Sequence, residues 1–259
     1  MQVTKASFPT LTARRLVFGA FLPVELSRAE LESQGKKVIL SVWEKVSADF
    51  KPPPDTERDN DGDWAITWES GRRQFSLNLQ KNVVGAKFAI WPDPMSAAKL
   101  IRTHASEAFE KLAIRKLSTL MMKYGTVFLL PQDINNHERI LPKLLGSWGD
   151  ASGLATVIKE IGLVGRFDMT FSYELDDYHH AFVQVELPAN RDKRTVWFEL
   201  VVKTRDDITV DIGEGQDGGS QYGLSTFLDA ANTFYREDYA SFVSHVLDDL
   251  DVALLGSDD

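Results

Sequence analysis

Short stretches of continuous or alternating apolar residues occur along the chain, and each one predicts a β-strand. Leu16–Leu22 is a continuous apolar run that predicts a buried strand. In residues 73–81 apolar and polar residues alternate, so one face of this strand is expected in a core and the other in solvent. Further strands are predicted at Trp64–Glu69, Gly85–Trp91, Leu117–Leu130, Phe167–Leu175, Ala181–Leu187, Thr195–Lys203 and Ile208–Ile212.

Apolar residues at three- and four-residue steps predict helices in other parts of the chain. In Leu26–Val46, Ser27 and Glu30 have the spacing of a capping box at a helix start. A second helix is predicted at 95–112, and a long helix with one apolar face is predicted at 224–250. Helical spacing also occurs at 134–145 and 154–161.

The order strand, helix, strands, helix therefore occurs twice, which predicts an α+β fold. We expect two strand–helix–sheet–helix repeats that form antiparallel sheet backed by helices. The segment 124–131 resembles 18–23, because each has an aromatic–glycine pair followed by Phe-Leu and a proline. We therefore predict an internal duplication, with 1–113 as the first repeat and 114–259 as the second, either as two domains or as one continuous domain.

Two resemblances follow from these features. The repeated element order resembles the TATA-binding-protein-like architecture, a curved sheet backed by helices. The segment 115–131, which contains Tyr124-Gly125 and ends in Leu-Leu-Pro131, is similar to a mid-chain segment of a sporadically distributed, uncharacterised family of prokaryotic proteins of about this length. That family has an asparagine near the glycine, which this sequence lacks. The resemblance implies no activity, because none is established for the family.

Charge divides the chain into two unlike halves. Residues 1–130 carry a balance of +5 and residues 131–259 a balance of −14, which gives the net charge of −9. The acidic half makes nucleic acid an unlikely partner of the whole molecule, because phosphate binding needs a continuous basic surface. A protein partner or association with a second copy is electrostatically easier. The residues expected to bind a partner are Asp248 and Asp249 of the closing helix, whose acidic face also carries Asp229, Glu237 and Asp238. In the nucleic-acid alternative, the binding residues of the basic half are Arg72, Arg73, Lys81 and Lys87.

The absence of cysteine excludes disulfides, thiolate metal sites and a cysteine nucleophile, and it fits a cytoplasmic protein. The apolar run 16–24 follows Arg14 and Arg15 but is too short for an export signal or a membrane span. We therefore expect no membrane association and no cofactor.

The stretch 51–63 contains three prolines and five acidic residues, which predicts an irregular loop. Glu57, Asp59, Asp61 and Asp63 have the alternate spacing of calcium ligands. However, Trp68 stands where a calcium loop needs a bidentate glutamate. A solvated acidic loop is therefore the preferred interpretation, and a metal site the alternative.

Three other patterns resemble known sites without completing them. Asp176, Asp177, His179 and His180 are metal-ligand types, but adjacent residues of a strand point to opposite faces, so a polar hairpin is preferred. Glu199, Lys203 and Asp168 suggest a metal nuclease, although the first two are too far apart on one strand to share a metal. The glycine-rich segment 213–218 contains acidic residues that would repel a dinucleotide phosphate.

Three function classes remain. The first is a non-catalytic binding or scaffold protein that acts through protein–protein contacts. The second is an enzyme whose site is assembled from scattered Asp, Glu and His residues. The third is a nucleic-acid-binding protein that uses the basic N-terminal half.

Overall fold

An antiparallel sheet with helices on one face forms the described part of the molecule. The computed structural model describes residues 15–35, 37–38, 41, 56–58, 64–70, 73–89, 94–129, 140, 143–144, 167–187, 195–212, 223–247 and 253–254. Their strands are β1 Arg15–Phe21, β2 Thr56–Arg58, β3 Trp64–Ser70, β4 Arg73–Leu79, β5 Val83–Ala89, β6 Lys116–Leu117, β7 Thr119–Leu129, β8 Phe167–Glu174, β9 His179–Leu187, β10 Thr195–Thr204, β11 Val210–Asp211 and β12 Ala253–Leu254. The predicted α+β class is confirmed.

Ten of these strands form one sheet in the order β2-β3-β4-β5-β1-β7-β10-β9-β8, with β12 also paired to β7. The remaining two, β11 and β6, pair with each other. At the centre β1 and β7 are antiparallel, with Phe18 opposite Met122. The order β3-β4-β5-β1 on one side corresponds to β8-β9-β10-β7 on the other. This correspondence fits the predicted duplication, which stays a prediction until the two halves are superposed.

Helices follow the strands of each half. They are α1 Arg28–Glu30, which continues as a π-helical turn Leu31–Gly35, then α2 Pro94–Lys111, α3 Leu224–Phe234 and α4 Ala240–Leu247. The capping box predicted at α1 is confirmed, since the Ser27 backbone N–H donates to Glu30 Oε2 at 2.7 Å and Ser27 Oγ accepts from the Glu30 N–H at 3.2 Å. Helices α2 and α3 contact each other, and Arg102 of α2 pairs with Asp229 of α3 at 2.8 Å.

The core lies between the helices and one face of the sheet. Every second residue of the central strands is buried there, as strand geometry requires. These residues include Leu16, Phe18 and Ala20 of β1, Leu120, Met122, Tyr124 and Phe128 of β7, and Val196, Phe198, Leu200 and Val202 of β10. The helices contribute Ile101, Ala105 and Phe109 of α2 and Leu224, Phe227, Leu228, Ala231, Val243, Val246 and Leu247 of α3 and α4.

The closing helix differs from the prediction, because a π-helical turn, Tyr235–Tyr239, joins α3 to α4. The buried residues Ala231, Tyr235, Tyr239 and Val243 are four apart. In a regular α-helix each four-residue step would rotate the side chain by about 40° around the axis. A π-helical turn holds more residues than an α-helical one, so it keeps all four on the face that packs against the sheet.

One strand prediction and one loop prediction were also wrong in detail. The predicted strand 117–130 is broken at Ser118, whose N–H and hydroxyl both donate to the carbonyl of Phe21, at 2.9 and 3.2 Å. The predicted loop 51–63 contains β2, because Thr56–Arg58 pair with Trp64–Ile66 at the edge of the sheet. Pairing with a neighbouring strand outweighs the local preference of an acidic, proline-rich stretch.

Candidate functional site at the ends of the sheet

The face of the sheet away from α2 and α3 is called the distal face here. It carries the side chains that alternate with the core residues, among them the half-buried Val17, Met121, Phe182 and Val201. The register places Val17, Lys123, Val201 and Phe182 in one row across β1, β7, β10 and β9. Charged side chains lie among these apolar ones, including Lys123, which pairs with Glu199 at 3.1 Å.

The β4–β5 hairpin, residues 73–89, is a basic hairpin inside the sheet, since β3 and β2 lie beyond β4. It contains three basic residues and no acidic one. Lys87 is exposed on the distal face between Ser76 and Val17 of the neighbouring strands, and Lys81 is exposed in the turn. Arg73 begins β4 opposite Ser70, and Arg72 lies outside the described residues. The predicted basic binding residues therefore lie in and beside one hairpin, but Lys81 and Lys87 occupy different parts of it.

The β8–β9 hairpin, residues 167–187, has the opposite charge. It contains five acidic residues and no lysine or arginine. Asp168 and Glu174 lie on β8 and are exposed, and Asp176 and Asp177 are exposed in the turn. Strand β8 ends the strand order, so this charge lies at the edge of the sheet in the described part of the chain.

The same hairpin carries exposed aromatic side chains. Among the described residues the exposed large hydrophobic side chains are Val24, Met95, Tyr173 and Tyr178, and the two tyrosines both belong to this hairpin. Tyr173 is 37% exposed at the end of β8 and also contacts Phe234 of α3, with 6.4 Å between ring centroids. Tyr178 is 43% exposed in the turn. Exposed tyrosines are typical of protein-binding surfaces, because the ring buries apolar area while its hydroxyl still finds a polar partner.

The turn of this hairpin is held by one carboxylate. Asp176 Oδ1 accepts the backbone N–H groups of Tyr178 and His179 at 2.7 and 2.8 Å, and both its oxygens lie 2.8 Å from Nδ1 of His179. Partial burial opposes ionisation, but the hydrogen bonds from His179 and Tyr178 outweigh it and lower the pKa of Asp176. The His179 ring is buried against Phe227 of α3. The arrangement orders the turn and places the buried imidazole in the core.

The metal interpretation of this cluster gains no support. His179 is buried on the helix side, whereas the next residue, His180, lies on the distal face opposite Lys203. In the described residues no group of three or more His, Asp or Glu side chains could hold a metal ion. The polar hairpin that the sequence favoured is confirmed by strands β8 and β9.

The calcium-ligand pattern falls mostly outside the described residues. Asp59, Asp61 and Asp63 lie outside them, and Glu57 is in β2 opposite Ala65. The first position of the pattern is therefore part of a paired strand. A calcium loop would need it in a turn.

The residues of the nuclease pattern make separate contacts. Glu199 pairs with Lys123 of the neighbouring strand at 3.1 Å. Lys203 pairs with Asp206 at 3.1 Å, and its Nζ lies 5.8 Å from the ring centroid of Phe182. Asp168 is at the sheet edge opposite Glu186. These residues do not converge on one point.

The closing helix offers less surface than the sequence suggested. Most of its apolar residues are buried in the core. Asp229 pairs with Arg102 at 2.8 Å and its side chain stays exposed, so the acidic face to which it was assigned remains a prediction. Glu237 and Asp238 are exposed, and Asp248 and Asp249 lie outside the described residues.

A buried polar cluster lies where α3 and the π-helical turn pack on β7. The Tyr124 hydroxyl donates to Asn232 Oδ1 at 2.9 Å, and the Tyr124 ring stacks on Tyr235 with 4.4 Å between centroids. Tyr239 stacks on Tyr235 at 5.4 Å. Burial raises the pKa of Tyr124 and Tyr239 well above that of a free tyrosine, so both stay neutral. This cluster joins the helix to the sheet.

No protein-family model and no curated protein sequence matches this chain. The resemblance to the uncharacterised prokaryotic family stays a prediction. Among the described helices none is both long and apolar enough to cross a membrane.

Sequence reasoning did not single out the β8–β9 hairpin, which combines exposed tyrosines with acidic residues. The signal was present, because residues 167–187 lack lysine and arginine and contain tyrosines in and beside the turn. What the sequence did not show is that β8 ends the strand order. A strand between two others would have had little accessible surface to offer.

Proposed function

We propose that this protein is a non-catalytic binding protein that recognises a basic protein partner through its β8–β9 hairpin. The observation that carries the proposal is the combination of Tyr173 and Tyr178, both exposed, with five acidic residues and no lysine or arginine in the same hairpin. Tyrosines supply apolar contact area, and the acidic side chains attract a basic partner and accelerate its association.

The test compares capture by two matched variants. Glu174→Lys with Asp177→Lys reverses two exposed charges of the β8–β9 hairpin, and Lys81→Glu with Lys87→Glu reverses two exposed charges of the β4–β5 hairpin. A basic protein from the source cells should bind the wild-type protein and the Lys81/Lys87 variant. Its association rate with the Glu174/Asp177 variant should fall about tenfold. Added salt should weaken binding, because exposed charges are screened within about 8 Å at physiological ionic strength.

Equal capture by both variants would contradict the proposal. Should the protein remain a monomer without partners at low salt, the scaffold interpretation loses its support. An enzyme whose site is assembled from scattered side chains would then be the first alternative.

A further inference from the structure

Among the described residues β8 is the longer edge strand of the sheet, and its backbone hydrogen-bonding groups point alternately toward β9 and away from it. In the turn, the Leu175 N–H donates to the His179 carbonyl at 3.1 Å, which makes 175 and 179 a hydrogen-bonded pair. Hydrogen-bonded and non-hydrogen-bonded pairs alternate along an antiparallel ladder. Residues 173, 171, 169 and 167 therefore bond to β9, while the N–H and C=O groups of Asp168, Thr170, Ser172 and Glu174 point away from it.

A second contact supports this assignment. The Arg205 N–H donates to the Tyr178 carbonyl at 2.9 Å, so the even-numbered residues of β9 bond to β10 and the odd-numbered ones to β8. In the described residues no strand pairs with the outer side of β8. The opposite edge, β2, has only three residues, against eight in β8. An edge strand of this length is a template for a further strand.

We infer that the partner binds by adding an extended strand to β8, and that this strand alternates basic and apolar residues. This inference rests on the proposed function. Residues of an added antiparallel strand that lie on the distal face would be neighbours of the exposed Asp168 and Glu174, which favours lysine or arginine there. Glu174 also lies 3.8 Å from Arg205, and its side chain stays 73% exposed beside that group. Residues on the other face would lie beside the half-buried Met169 and the exposed Tyr173, which favours apolar side chains.

Charge also disfavours a second copy of the chain on this edge. In a symmetric antiparallel pairing of two β8 strands centred on Phe171, Asp168 of each copy would lie opposite Glu174 of the other. Like charges directly opposite each other destabilise a strand pair. A basic strand from a different protein removes this repulsion.

The experiment measures binding of a fluorescent peptide of alternating lysine and valine by fluorescence anisotropy at low salt. The control peptides are alternating glutamate and valine, and lysine and valine in two separate blocks. In the protein, Ser172→Pro removes an outward N–H and leaves the bonds of β8 to β9, because proline is tolerated at the free side of an edge strand. Ser172→Ala keeps that N–H and is the matched control.

We expect the alternating lysine peptide to bind at least about tenfold more tightly than either control peptide. Ser172→Pro should weaken its binding at least about tenfold, and Ser172→Ala should leave it unchanged. If Ser172→Pro lowers the melting temperature, Thr170→Pro tests the same edge at the next outward residue. Unchanged binding by a folded proline variant would overturn strand addition but leave the proposed function standing. Failure of the wild-type protein to prefer either lysine peptide over the glutamate peptide would overturn both.

Discussion

The β4–β5 and β8–β9 hairpins have similar local structure and opposite surfaces. Each consists of two antiparallel strands of seven to nine residues joined by a short connection. The first carries three basic residues and no acidic one, and the second carries five acidic residues and no lysine or arginine. The alternating apolar residues of both hairpins pack in the core, whereas most of the charged side chains are exposed and give the two surfaces opposite charge.

The hairpins also differ in what lies beside them. Strand β4 is hydrogen-bonded to β3, and β3 to β2. Strand β8, in contrast, ends the strand order in the described residues. A basic hairpin inside the sheet can offer only side chains to a partner. The acidic hairpin can offer its backbone as well.

The largest expected effect is a loss of stability on substitution of a glycine in the central strand of one half, compared with the same substitution in the other half. Each has a glycine after an aromatic residue, Gly19 in β1 and Gly125 in β7. A Cβ on Gly125 would lie 2.9 Å from Cζ2 of Trp197, whereas a Cβ on Gly19 would lie 3.3 Å from the ring edge of Phe21 and 3.4 Å from the terminal methyl of Met121. The Met121 methyl group ends a flexible side chain and can move.

Gly125→Ala should therefore lower the free energy of unfolding by about 1–3 kcal/mol, the usual cost of overpacking. Gly19→Ala should lower it by less than about 1 kcal/mol. Urea denaturation with equal m-values measures both. Equal losses would show that the two central strands have the same packing tolerance, contrary to the structure.

A smaller effect on stability is expected from the difference between the turns of the two hairpins. The β4–β5 turn is closed by a backbone hydrogen bond from Gln80 N to Val83 O at 2.8 Å, but the β8–β9 turn also depends on the Asp176 carboxylate. Asp176→Ala should lower the free energy of unfolding at pH 7 by about 1–2 kcal/mol, because the Tyr178 and His179 N–H groups lose their acceptor. Asp176→Asn keeps an acceptor oxygen for the two N–H groups but removes the charge and replaces the oxygen Oδ2 beside His179 Nδ1 by an NH2 group. Its loss should therefore be smaller than that of Asp176→Ala, about 1 kcal/mol at this solvent-exposed position.

The pH dependence of the Asp176→Asn variant follows from the lowered pKa of Asp176. A carboxyl whose pKa is lower in the folded protein stabilises it above the unfolded value, about 3.9. The difference between wild type and Asp176→Asn should be fully present near neutral pH and disappear as pH falls through the lowered folded pKa. Denaturation series between pH 7 and pH 2 measure it. A difference that is independent of pH would exclude the charge as its cause.

Local chemistry explains which features the sequence predicted. The capping box of Ser27 and Glu30 and the alternation in residues 73–81 depend on neighbours in the chain, and both elements form as expected. The hairpin around Asp176 was also predicted, because adjacent residues on a strand point to opposite faces. These rules need no knowledge of the rest of the fold.

Features that depend on distant residues were not predictable. Strand β2 forms in an acidic, proline-rich stretch only because β3 lies beside it. The π-helical turn places Tyr235 and Tyr239 on the face of the helix that is buried against the sheet. Asp229 is engaged by Arg102, more than a hundred residues away in the chain. The edge position of β8 likewise follows from strand order, which residue patterns do not determine.

The most direct test of strand addition is amide hydrogen exchange of β8, measured by NMR with and without the alternating lysine–valine peptide. In the free protein the amides of 169, 171 and 173 should already be protected by β9, whereas those of Thr170, Ser172 and Glu174 should exchange faster. The peptide should slow the exchange of these three outward amides at least about tenfold and leave the amides of the β4–β5 hairpin unchanged. Protection that appears in the β4–β5 hairpin, or outward β8 amides that stay fast under saturating peptide, would contradict the account.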